Sequence, residues 1–167
     1  MTNAFGGLAM RKSTMILGSV FLIMAMLCVL FLVGGTLSAN VDVMTANAAE
    51  YPKAYASIQS VLQSGAPQLF SEELPDDPAQ CRLEDVTITL SNRGLFPAEW
   101  ISVNVEGAPW DVAVYSITGE GNTVAGRSVG TVNLKLVSLA GSGWPRVYHI
   151  QYNVFGMKRS IDVKTEV

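Results

Sequence analysis

An apolar run from Met15 to Val33 dominates the N-terminal part of the chain. It contains no charged residue and no proline, and its only weakly polar positions are Gly18 and Ser19. Nineteen helical residues rise roughly 28 Å, close to the roughly 30 Å hydrocarbon core of a bilayer. A helix of a small soluble domain is apolar on one face, whereas this run is apolar all round. The sequence therefore predicts a transmembrane helix, which we place at residues 15–36.

The charges that flank the run predict its orientation. Arg11 and Lys12 precede it, and the next charged residue is Asp42. Because positive residues stay on the cytoplasmic side, we expect residues 1–14 to be a cytoplasmic tail. The part that follows the helix is then extracytoplasmic, and the chain is a single-pass protein of the cell membrane whose first partner is the lipid bilayer.

A cleaved signal peptide would show the same polarity and is the alternative. Small residues near positions 36–38 and 46–48 offer candidate cleavage sites. The apolar run, however, is longer than the roughly 7–15 residues of a typical signal sequence. A retained anchor is therefore the prediction, and secretion after cleavage stays open.

The distribution of charge and cysteine excludes several classes. All fourteen acidic residues follow the run, against nine of the eleven basic residues, so the extracytoplasmic part is acidic. Nucleic acid is not an expected partner, since no basic cluster is present. Cys28 lies inside the run and Cys81 beyond it, so the two cannot pair within one chain. We expect Cys81 to be free and buried, with a bridge between two chains as the alternative.

Residues 37–81 are predicted to form a helical stalk and an acidic linker. A helix is expected within 44–64, because Tyr51, Tyr55, Ile58 and Leu62 recur at helical spacing. Residues 65–85 carry three prolines and six acidic residues. They lack the alternating Asp order of a calcium loop, so a solvated acidic loop is the expectation.

From Val86 onward the apolar residues alternate with a period of two. Glycine, proline and asparagine interrupt the alternation every 8–15 residues, which is typical of six or seven short antiparallel strands. Residues 82–167 are therefore predicted to be an antiparallel β-sandwich. Asn92 and Gly94 are assigned to the turn after the first of these strands, Asn92 for backbone hydrogen bonding and Gly94 for positive φ.

The segment VTITLSNRGLFPAEWISVNVEG, residues 86–107, resembles known modules. A strand ending in Asn-x-Gly, a short loop and a strand reading Ile-x-Val-x-Val are similar to prokaryotic cell-surface immunoglobulin-like domains of the CARDB type. They also resemble the water-stress domain of late-embryogenesis-abundant type 2 proteins. Over residues 82–167 either resemblance implies an immunoglobulin- or fibronectin-III-like sandwich without a catalytic constellation.

The chain offers little for catalysis. His149 is the only histidine, and no zinc-ligand spacing or phosphate-binding glycine loop accompanies it. Residues 126–130 have the spacing Gly-x-Ser-x-Gly, but these glycines lie between predicted strands, whereas a nucleophile elbow joins a strand to a helix. We therefore expect no enzyme, no cofactor and no metal. The tryptophans Trp100, Trp110 and Trp144 are the candidate contact residues, either as core plugs or as a patch for a partner.

These patterns predict a non-catalytic binding or structural role at the cell surface. The partners would be other surface proteins or copies of the chain itself. The alternative is an assembling subunit of the pilin or archaellum-associated type, in which apolar N-terminal helices pack together. Arg11-Lys12-Ser13 before the run suits it, but the early glutamate of a standard bacterial pilin is missing.

Overall fold

The computed structural model describes residues 4–33, 37–65, 68–69, 74–119, 122–141 and 145–165. Two helices and eight strands occur in these ranges. The helices are α1 (Ala4–Val33) and α2 (Pro52–Gln63). The strands are β1 (Leu37–Asn47), β2 (Gln68–Leu69), β3 (Cys81–Asn92), β4 (Glu99–Val105), β5 (Asp111–Gly119), β6 (Ser128–Leu139), β7 (Val147–Val154) and β8 (Met157–Lys164).

The strands form two antiparallel sheets. The larger has the order β1-β3-β6-β5-β2, and the smaller has the order β4-β7-β8. β3 and β6 pair along their whole lengths, from Cys81 opposite Leu139 to Asn92 opposite Ser128. The prediction of a mainly β, antiparallel sandwich is confirmed at this level. The immunoglobulin-like topology stays a prediction.

One apolar core fills the space between the sheets. Alternate residues of β3, namely Val86, Ile88 and Leu90, face Tyr148 and Ile150 of β7. All five are at most 1% exposed. Side chains at every second position of a strand share a face, which is why a period of two in the sequence becomes one buried layer here.

α2 covers the outer face of the larger sheet. Tyr55 and Ile58 pack with Cys81, Ala113 and Val137 in a second cluster. Proline at position 52 is accepted because the first helical residues need no intrahelical donor. α2 is thus a layer of the folded domain, with its apolar stripe on the sheet.

The first strand lies where the sequence predicted a stalk. Leu37–Asn47 pairs with β3 over eleven residues, with Leu37 opposite Asn92 and Asn47 opposite Arg82. The predicted helix within 44–64 starts only at Pro52, after this strand and a 3₁₀ turn. The reason is physical: the pairing partners of residues 37–47 lie 35 to 55 residues further along the chain and leave no local signal in this segment.

The N-terminal helix α1 is continuous from Ala4 to Val33. Its side chains are described for Met15–Val29, and all of these are exposed. Within the described part of the chain, no helix combines the length and the hydropathy that a bilayer crossing requires.

Candidate functional site

The sandwich has two ends that differ in chemistry. We call the entry end the one where β1 begins; it comprises residues 93–100, 122–129 and the hairpin at 155–158. The opposite end comprises residues 47–53, 74–77, 106–110, 139–141, 145–146 and 164–165. Since β7 runs from one end to the other over eight residues, the two ends are about 26 Å apart.

A buried ion cluster lies at the opposite end, between the sheets. Arg146 is 6% exposed, and its partners Glu84 and Asp111 are each 2% exposed. Arg146 Nε donates to Glu84 Oε2 at 3.0 Å, and Arg146 Nη2 donates to Asp111 Oδ1 at 2.6 Å. Arg146 Nη1 also donates to Asp111 Oδ2. The guanidinium therefore joins β3 and the start of β5 through its planar donor fork.

Further donors complete the coordination of the two carboxylates. Ser138 Oγ donates to Glu84 Oε1 at 2.8 Å, and Arg82 Nη2 donates to the same oxygen at 2.7 Å. The amide of Ala108 donates to Asp111 Oδ2 at 2.7 Å. Two cations and two anions thus meet with their hydrogen bonds largely made, which is the condition under which buried charges are tolerated.

The surroundings shift the pKa values in the cluster. Burial alone would raise the pKa of Glu84, but the charge and hydrogen bonds of Arg146, with those of Ser138 and Arg82, outweigh burial and lower it. Burial would lower the pKa of Arg146, and the bonds to Asp111 and Glu84 raise it instead. Burial raises the pKa of the neighbouring Tyr148 to about 12. Glu84 and Arg146 are therefore both charged at neutral pH.

A cleft of about 320 Å³ opens above this cluster. Arg146 forms part of its floor, and Trp110 lines its wall, half-buried. The backbone around it is tied down, since Glu106 N donates to Val147 O at 3.1 Å and Leu139 N to Trp110 O at 2.9 Å. A rigid, half-apolar cleft with one aromatic wall is suited to hold a side chain of a partner.

Asn92 organises the entry end. Its Nδ2 donates to Phe96 O at 2.8 Å and to Val124 O at 3.1 Å, and its Oδ1 accepts from Gly94 N at 2.9 Å. One buried side chain therefore joins two connections of the sandwich. The assigned reason for Gly94 was wrong: its φ is not positive. Gly126 is the glycine that this end requires, since a Cβ there would lie 2.4 Å from Leu95 O.

Three residues of the entry end adopt positive φ, and they are the only non-glycine residues to do so in the described ranges. They are Trp100 (φ 54°), Arg127 (φ 56°) and Phe155 (φ 53°). Such backbone conformations cost of order 1–3 kcal/mol each and tend to occur at functional positions. The entry end thus places bulky side chains at backbone positions that glycine or asparagine adopts at a lower conformational cost.

Trp100 borders a shallow groove on the outer face of the smaller sheet. The groove has a volume of about 570 Å³, and Trp100 is 70% exposed beside it. A register shift in β4 between Glu99 and Ser102 turns this indole outward. The remaining lining comes from Ser102, Gln151, Tyr152, Asn153, Lys158, Arg159 and Ser160.

The structure separates the three candidate tryptophans. Trp100 lies near the entry end and Trp110 lies at the opposite end, so they do not form one patch. Trp144 falls outside the described residues. A single contact surface that contains both Trp100 and Trp110 is therefore excluded.

The other singled-out residues have structural surroundings. His149 Nδ1 lies 2.8 Å from Asp162 Oδ1 on the outer face of the smaller sheet. Cys81 is a buried free thiol, 3.5 Å from the Tyr55 hydroxyl, and its burial raises its pKa. In the part of the chain that the structure describes, no group of His, Cys, Asp and Glu is arranged to hold a metal ion.

Sequence reasoning missed the ion cluster. Glu84 was assigned to the solvated acidic linker, but it is buried, because it occupies an inward position of β3. The signal was present: Glu84 is two residues before Val86 and shares the parity of Val86, Ile88 and Leu90. A carboxylate on the apolar face of a strand predicts a buried cationic partner.

Comparisons with known proteins leave the family open. No family model matches the sequence, and no curated protein matches it. Among solved structures, the yeast GGA1 GAE domain is similar at a TM-score of 0.40 and 10% identity, covering 60% of this chain and 87% of that one. The resemblances to the CARDB-type and water-stress domains stay predictions.

Proposed function

We propose that this protein is a membrane-anchored, extracytoplasmic β-sandwich with a non-catalytic binding role. α1 would hold the domain at the bilayer, and the cleft at the opposite end would engage another surface protein or a second copy. The observation that carries the proposal is α1 itself. Every side chain described in it, Met15–Val29, is exposed, so the sandwich offers this apolar helix no cover.

The chemistry of α1 supports a lipid environment. The uncharged window of the sequence extends from Ser13 to Val41, longer than the fifteen positions with described side chains. Ser19 Oγ donates to Ile16 O at 2.9 Å, so the hydroxyl in this part of the helix is satisfied within it. Exposed in water, the apolar surface of α1 would be a severe aggregation liability; in lipid it is stabilising.

The mass of the mature chain and its flotation with vesicles test the anchor. The expected result is an intact chain near 17.9 kDa that floats with membranes and resists alkaline extraction. A soluble mature chain lacking the first 38–48 residues would overturn the proposal in favour of a secreted sandwich. Loss of about 13 residues together with sedimenting filaments would instead support the pilin-like subunit.

Thiol labelling tests the orientation. In intact spheroplasts, a membrane-impermeant maleimide should label Asp42→Cys, because Asp42 is exposed on β1. The matched variant Asn3→Cys should remain unlabelled until the membrane is permeabilised. The opposite labelling pattern would contradict an extracytoplasmic domain.

A further inference from the structure

We propose that the entry end of the sandwich rests on the membrane surface and binds anionic phospholipid headgroups, so that the domain stands upright with its opposite end directed away from the bilayer. This inference rests on the proposed membrane anchor. The surface that carries it consists of the exposed apolar residues Leu95, Trp100, Val129, Phe155 and Met157, together with three bases defined below. We call it the entry patch.

The length of the connection places the entry patch beside the bilayer. α1 ends at Val33, and β1 begins at Leu37. Three intervening residues can span at most about 14 Å between these two positions. Leu37 pairs with Asn92, whose side chain ties together the connections of the entry end. The entry end is therefore the part of the sandwich that a helix in lipid would hold at the headgroup layer.

The apolar residues of the entry patch are unusually exposed for a soluble surface. Trp100 is 70%, Val129 61%, Leu95 49% and Phe155 48% exposed. Phe155 stacks edge-on against Phe96 with ring centroids 4.1 Å apart, so its ring is held in place and still half-exposed. Tryptophan and other aromatic side chains favour the boundary between lipid and water, where one part of the ring contacts lipid and another contacts water.

The turn at Phe155 places a bulky side chain in a backbone conformation that disfavours it. Val154 pairs with Met157, so Phe155 and Gly156 form a two-residue hairpin loop with φ of 53° and 72°. This is the geometry of a type I′ turn, for which Asn-Gly is the favoured sequence. Phenylalanine at the first position worsens the turn, and an apolar contact outside the domain gives a reason for it.

The charges of the two ends are opposite in sign. The exposed charged residues described at the entry end are Arg93, Arg127 and Lys158 against Glu99. Glu120, in the same region of the sequence, lies outside the described residues, and with it the bases still exceed the acids. At the opposite end the exposed acids exceed the bases: Glu50, Asp76, Asp77 and Glu106 against Lys53 and Lys164. An anionic lipid surface attracts the first end and repels the second.

Fluorescence quenching of the full chain in vesicles tests the inference. The double variant Trp110→Phe/Trp144→Phe leaves Trp100 as the only indole, and Trp100→Phe/Trp144→Phe leaves Trp110. Both are reconstituted in phosphatidylglycerol–phosphatidylcholine vesicles whose acyl chains are brominated near the headgroups. We expect emission to fall by about half when only Trp100 remains and to stay unchanged when only Trp110 remains.

Two further variants test the inference without substitutions at Trp110 and Trp144, in case these substitutions disturb the fold. Trp100→Phe in the otherwise unchanged chain should abolish the quenching. Arg93→Glu/Lys158→Glu should reduce it in vesicles that contain phosphatidylglycerol, whereas Lys53→Glu at the opposite end should not. A chain that floats with vesicles and shows no quenching of Trp100 overturns the inference and leaves the anchor standing. A chain that does not float overturns both.

Discussion

At the scale of single residues, the ion cluster at Arg146 decides how the opposite end is built. The guanidinium is buried between Glu84 and Asp111, and its removal would leave two carboxylates without their main partner. Breaking a buried pair from one side is costly because the remaining charge stays in a medium that solvates it poorly. The cluster therefore fixes the positions of β3, β5 and the segment before β7 relative to one another.

Replacing Arg146 with methionine should reduce the free energy of unfolding by about 3–5 kcal/mol. The measurement is urea denaturation at neutral pH. The matched control is Lys135→Met, which removes an exposed bond of 2.9 Å to Asp85 and should cost less than about 1 kcal/mol. Equal losses in the two variants would show that the buried cluster at Arg146 contributes no more to stability than the exposed pair of Lys135 and Asp85.

Acid should weaken the fold through Glu84. Its pKa is lowered in the folded state, so its stabilising contribution is complete above the unfolded pKa of about 4.3 and is lost as the pH falls toward the folded pKa. The urea midpoint of the wild type should therefore fall as the pH decreases below about 4.3. Glu84→Gln should start less stable and show a shallower decrease. A parallel decrease in both would argue against Glu84 as a source of the acid sensitivity.

Tyr148 offers a prediction of opposite sign. Its hydroxyl is buried and has no hydrogen-bond partner in the described residues. Tyr148→Phe removes an unsatisfied polar atom and keeps the ring, so we expect a gain of about 1 kcal/mol in the free energy of unfolding. Urea denaturation measures it. A loss of stability would indicate that the hydroxyl is satisfied in solution.

At the scale of elements, α2 shields the outer face of the larger sheet from water. Ile58 is 2% exposed and packs with Cys81 and Val137. Ile58→Ala should cost about 2–4 kcal/mol, because it removes buried apolar contacts and leaves a cavity. Lys53→Ala, on the exposed side of α2, should be neutral to within about 0.5 kcal/mol. If both variants unfold at the same urea concentration, α2 is a stalk outside the cooperative unit.

At the scale of the whole molecule, the boundary of the folded domain falls at Leu37. Deleting residues 1–33 should leave the urea midpoint of the sandwich unchanged, since the side chains described in α1 are exposed. Deleting residues 1–47 should abolish cooperative unfolding, because it removes β1 and with it the whole pairing partner at that edge of β3. Circular dichroism against urea compares the two fragments. A stable shorter fragment would contradict a structural role for β1.

The sequence by itself determined the strands after Val86, the apolar N-terminal run and the apolar stripe of α2. Each depends on a local period: two for Val86, Ile88 and Leu90, and about 3.6 for Tyr55, Ile58 and Leu62. A chain carries such periods in consecutive residues, so they can be read without knowing what packs against them.

Only the tertiary structure decided the role of Leu37–Asn47, the burial of Glu84 and the separation of Trp100 from Trp110. β1 is a strand because β3 pairs with it. Glu84 is tolerated in the interior because it pairs with Arg146, a residue 62 positions further along the chain. The two tryptophans fall at opposite ends because β4 runs between them. These outcomes depend on contacts between residues far apart in sequence, and such contacts leave no period in the chain.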